Sequence, residues 1–174
     1  MKLSLVGSTL MMLATSGALH AQSSEADYMA TVKRAAPADI VNNATIVKMS
    51  GSDMQTIQKG SNGWTRMADQ VGVPMCMDAA ATEWAHAWQS HAKPPEKTGL
   101  MYMLSGDKGA SNSDPWATGK TASNHWIETG SHVMIVGPTV KTMGGYPRDP
   151  DPDPKKPYVM WSGTQYEHLM LPVK

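Results

Sequence analysis

The sequence predicts an α+β fold, mainly antiparallel β-hairpins with one well-defined packed helix over residues 78–92. Two observations carry that prediction. Ala81, Trp84, Ala85, Trp88 and Ala92 recur at helical spacing and make a single apolar stripe. Elsewhere, apolar runs of strand length alternate with turns rich in Gly, Asn, Ser and Pro. The stripe needs a sheet to lie on, and the runs supply one.

Taken in order, the chain opens with Lys2 and an apolar run from Leu3 to Leu13, followed by small residues around Ala18 and Ala21. That pattern predicts a signal peptide over residues 1–21, cleaved after Ala21, and hence a protein exported to the periplasm or beyond the cell. Residues 22–43 read as a polar leader, with a loose helix over Asp27 to Ala36 or partial disorder as alternatives. Residues 44–174 read as one domain. Ala44 to Met49 is a first strand, and Met54 to Gln58 is paired with Trp64 to Met67 across an Asn62-Gly63 turn. Asp78 is the expected N-cap of the helix, whose solvent face is assigned to Glu83, Ala87 and Ser90, and Pro94-Pro95 stops it. Leu100 to Leu104 reads as a central strand, and residues 105–124 as a long polar loop. His125 to Glu128 and His132 to Val136 are expected to pair about Thr129-Gly130-Ser131. After a stiff Pro/Asp linker at 144–157, Tyr158 to Trp161 and Tyr166 to Leu171 form a last hairpin about Ser162-Gly163.

Composition narrows the functional classes. The 174 residues carry no formal net charge, and loss of Lys2 with the signal peptide leaves about −1, scattered along the chain. No basic footprint for nucleic acid or an anionic membrane exists, and no later segment approaches the roughly 20 apolar residues of a membrane span. Phe is absent, while Met occurs 15 times, so methionine is expected to fill the core as Phe would elsewhere. Thioethers also favour Cu(I), which keeps a transition-metal cofactor open. Cys76 is the sole cysteine and cannot form an internal disulfide. Near a helix N-terminus it is either a reactive thiol of lowered pKa or a buried one.

The candidate chemistry is sparse. His125, His132 and His168 are the candidate metal ligands, but the expected hairpin separates His125 from the His132 end by about 13 Å, against metal–nitrogen bonds of about 2.1 Å. In Met75-Cys76-Met77, adjacent side chains of an extended chain point to opposite faces, so the three sulfurs do not readily converge. Asp149, Asp151 and Asp153 imitate a calcium loop, but Pro154 and Met160 stand where Gly and Glu are required. No nucleophile elbow, phosphate loop, CxxC or HExxH is present. The polar loop leads into Asn124 and His125, so Asp114, Asn124 and His125 are the candidate ligand-binding residues, with His132 or His168 at the edge. The plain alternative has Asp114 pinning its own loop beside Pro115.

Several segments carry a resemblance: Pro74-Met75-Cys76, Glu83-Trp84-Ala85, Tyr102-Met103-Leu104, ASNSDPWAT at 110–118, NHWIETGSHVMIVGP at 124–138 and KPYVMWSGTQYEHLMLPV at 156–173. From about Gly60 onward the chain resembles a family of small exported bacterial proteins of uncharacterised function. The resemblance implies export and a site region, and no activity. The family pattern carries a second Cys where this chain has Arg66, which implies a disulfide between that position and Cys76, lost here. The expected function is a non-enzymatic binding module for a small ligand or partner. The alternatives are a metal-handling protein and a small hydrolase using a carboxylate with His125.

Overall fold

The computed structural model describes residues 16–50 and 53–173, with side chains from Ser24 onward. The expected signal segment lies outside them up to residue 15, and helix α1 (Ser16–Val32) runs through the expected cleavage point. The α+β class holds, but the sheet is one large mixed sheet of eight strands rather than a set of antiparallel hairpins. Its strands are β1 (Thr45–Ser50), β2 (Asp53–Gln58), β3 (Thr65–Ala68), β4 (Pro74–Met77), β5 (Gly99–Met103), β8 (His132–Val136), β9 (Tyr158–Met160) and β10 (His168–Pro172). They lie in the order β2-β1-β3-β4-β5-β8-β10-β9, and a separate two-stranded ladder joins β6 (Ala110–Ser111) to β7 (Trp126–Ile127). Among the described residues, no helix is long and apolar enough to cross a membrane.

Two expected hairpins pair differently. β2 runs antiparallel to β1, and β3 lies parallel to β1 on its other side. The segment around Asn62-Gly63 therefore crosses the start of β1 instead of closing a hairpin. Backbone groups there are already committed to that crossing: Thr45 N–H donates to Trp64 O and Ser61 N–H to Asn43 O. Asn62 turns the chain through its side chain, accepting from Trp64 N–H and donating to Ile40 O. Likewise β7 pairs with β6, whereas β8 pairs with β5 and β10. The Thr129-Gly130-Ser131 segment leads from one sheet to the other. The last hairpin, β9 with β10, forms as expected.

The helix α3 (Ala79–Gln89) starts where the sequence places it, with Asp78 Oδ1 accepting from Ala81 N–H at 2.8 Å. It stops at Gln89, short of residue 92, because His91 takes a left-handed backbone at φ 56°. Ala81 and Trp84 are buried as the stripe requires. Ala87, expected at the solvent face, is buried instead, because the Tyr166 hydroxyl reaches over it to Ala92 O at 2.6 Å. Gly99 lets α3 approach β5 closely, since a Cβ there would overlap the Ala81 backbone.

Alternation along the strands sorts the side chains into two faces. One carries buried Met67, Met77, Met101, Met103, Met134, Met160 and Met170, with Met49, Met54 and Met75 packed at its margin. Trp84, Trp161 and Tyr166 pack on that layer, Trp84 and Trp161 stacked at 6.2 Å with Tyr166 edge-on to Trp84. The other face carries Ile46, Arg66, Cys76 and Tyr102 under α1 and α2 (Ala38–Val41), and Val159 and Leu169 under a 3₁₀ turn at Pro138–Thr142. Buried methionine thus stands in for Phe on that face, while on the other only the part-buried Met29 and Met143 pack at the margins.

Candidate functional site

The polar loops after β5 and before β9 lie together as a single layer, and a few side chains build it. Asp107 Oδ1 accepts from Gly109 N–H and Thr129 N–H, each at 2.9 Å, so one carboxylate joins the start of the loop to its end. Burial pushes the Asp107 carboxyl up, opposed by those two N–H donors and by His132 nearby. Ser111 Oγ donates to Asn124 O at 2.7 Å and accepts from Asp114 N–H at 2.9 Å. Asn112 accepts from Trp161 N–H and donates to Asp149 O and Pro150 O, which fastens the Asp-Pro segment to the sheet. That segment is therefore a held part of the layer rather than a free linker.

The three candidate ligand-binding residues come near one another in the backbone, but each side chain is already engaged, Asp114 and Asn124 within the loop and His125 with Asp151. Asp114 Oδ1 accepts from Trp116 N–H at 2.9 Å, an Asx turn beside Pro115. Asn124 accepts from Thr121 N–H and donates to Gly119 O. His125, with φ 49°, places Nδ1 at 2.9 Å from both oxygens of Asp151. Neither of two surface concavities, one beside Tyr28 and Lys48 and one beside Lys93 and Lys141, includes any of the three. The loop-pinning alternative describes Asp114 and Asn124.

The three candidate metal-binding histidines do not converge. His132 and His168 share the methionine face, but the β8–β10 register sets His132 opposite Pro172 and so leaves His168 four residues further along. His125 is part-exposed in the loop layer. Among the described residues, no three His, Cys, Asp or Glu side chains group as metal ligands. His132 Nδ1 lies 2.7 Å from Gly130 O and His168 Nδ1 lies 3.0 Å from Tyr166 O. A carbonyl only accepts, so both Nδ1 atoms carry the proton. Burial lowers both imidazoles, His168 to about 4.

Cys76 is wholly buried, on the face opposite Met75 and Met77. Burial pushes its thiol up to about 11, against a smaller pull from Arg66, which is the behaviour of the buried alternative for this cysteine. Arg66 stands directly across β3–β4 from Cys76, so a cysteine there would link two neighbouring strands.

The sequence reading missed the best-formed exposed feature of the layer. Trp116 is 40% exposed, yet its ring stacks on His91 at 4.4 Å and 11°. Trp116 Nε1 donates to Trp88 O, and Trp88 Nε1 donates back to Pro115 O, each at 3.2 Å. The only available signal was Trp116 within a polar loop; its partners lie about 25 residues away in α3 and its C-terminal turn. No family model, curated protein or solved structure matches the chain.

Proposed function

We propose that the protein is exported and serves as a non-enzymatic binding module for a small polar ligand, with the loop layer around Trp116 as its working surface. The observation that carries this reading is an exposed indole held rigid. Trp116 is tied to α3 at both ends of its ring and its loop, so contact with a ligand would cost little side-chain entropy. Ser113, exposed in the same loop, and the half-buried His125 with its Asp151 partner add polar groups on the same layer. Export rests on the apolar run at residues 3–13 and the small residues before Gln22.

The test is titration of the mature protein with a panel of monosaccharides, amino acids and dipeptides, read by amide and indole chemical shifts. Binding should perturb the Trp116 indole and residues 113–118, and Trp116→Ala should weaken it at least tenfold. Shifts clustering elsewhere, or none across the panel, would overturn the reading. N-terminal sequencing of the exported form should find Gln22; retention of Met1 would refute export by cleavage.

A further inference from the structure

We propose that His132 and the methionines around it form a binding site for Cu(I) in the interior of the sheet's methionine face. The inference is independent of the loop-layer reading.

The histidine is set up as a ligand. Its Nδ1–H is spent on Gly130 O, which leaves Nε2 as a bare lone pair. His132 is 0% exposed, and no donor among the described residues reaches Nε2. Histidines that bind metals characteristically anchor the other ring nitrogen on a backbone carbonyl or carboxylate in this way, which fixes tautomer and ring direction. The anchoring carbonyl belongs to exposed Gly130, so the histidine stands at the end of β8 next to a surface turn rather than in mid-sheet.

The surroundings select the ion. The β5–β8 register puts Met103 directly opposite His132 on the same face, and sets Met101 opposite Met134 one step further on. Met170 lies opposite Met134 on β10. Long, flexible thioethers can reach a neighbouring atom without a backbone shift. Imidazole with thioethers is a donor set for Cu(I), and it offers nothing to a hard dication. No carboxylate- or histidine-rich cluster competes among the described residues.

The competing soft donor is the Cys76 thiol on the opposite face, so the experiment is run in a Cys76→Ala background. Cu(I), held reduced by ascorbate, is titrated in competition with the chromogenic chelator bicinchoninate, and X-ray absorption reads the ligand shell. One equivalent should bind, with one nitrogen and two or three sulfurs around it. Met103→Leu, which conserves volume, should weaken binding at least tenfold, and His132→Gln should abolish it. Met143→Leu, remote from this face, should leave it unchanged. Thermal melts verify folding; if His132→Gln unfolds, Met103→Leu and Met134→Leu carry the test. Absence of competition in the Cys76→Ala protein, an all-sulfur shell, or affinity unmoved by Met103→Leu would overturn the proposal.

Discussion

The two faces of the large sheet bury different polar groups, imidazoles on one and a guanidinium on the other. On the methionine face, His132 and His168 are buried, and each is anchored to a backbone carbonyl two residues earlier in the chain. On the aliphatic face, Arg66 is 6% exposed and its Nε finds no partner among the described residues, which is equally true of Trp84 Nε1 and His132 Nε2 on the methionine face. Unbranched thioethers adapt to irregular shapes, so flat rings of Trp and His can pack among them. The difference teaches that a buried polar group is cheap where the backbone supplies its partner locally, and costly where only a distant side chain could.

The largest effect should come from removing the centre of the methionine face. Trp84 is 2% exposed and touches Trp161, Tyr166 and His168 with its ring. Trp84→Ala should cost about 3–5 kcal/mol in urea unfolding, and a loss under about 1 kcal/mol would mean the thioethers can close the gap.

Acid should probe the same face. His168 titrates near 4 in the folded chain against about 6.5 unfolded, with burial the main cause. Only the unfolded state gains the proton in between, so stability is full above pH 6.5 and falls as the pH drops from about 6.5 to 4. The loss should approach about 3 kcal/mol. His132 is lowered in the same sense and adds to the slope. Unfolding measured across that window in His168→Leu should show a shallower slope; an unchanged slope would assign the acid sensitivity elsewhere.

The aliphatic face can be sharpened by Arg66→Cys. Positions 66 and 76 are register partners on antiparallel strands, where Cα separations of about 4.5–5.5 Å suit a disulfide. The bond should form on oxidation, losing two hydrogens by mass, and should add about 2–3 kcal/mol relative to the reduced variant. Equal melting of oxidised and reduced forms would show that strain cancels the gain.

The smallest effect belongs to the loop layer. The side chains of the His125–Asp151 pair are 36% and 74% exposed, so Asp151→Ala should change stability by less than about 1 kcal/mol. A larger loss would show that the pair, rather than Asn112, holds the Asp-Pro segment down.

Much of this was legible in the residues. Alternation placed Met75 and Met77 opposite Cys76, the Asp78 cap and apolar stripe located α3, and Gly163 with its flanking apolar runs located the final hairpin. The candidate site was legible only in part: the loop that carries it was identified, but the partners of its side chains were not. Asp151, which the sequence assigns to a solvated linker, pairs with His125 across 26 residues, and nothing local encodes that meeting. By itself the sequence determined the α+β class, the start and apolar stripe of α3, the methionine-filled core and the absence of an internal disulfide, because periodicity, capping and composition act within a few residues. Apart from the β9–β10 hairpin, strand partners were decided by the tertiary structure. Whether β3 joins β2 or slides past to lie parallel to β1, and whether β8 folds back on β7 or enters the main sheet, depends on which edge offers unpaired backbone groups once the rest has assembled. The same long-range choice sets Met103 across from His132 and Trp116 against α3.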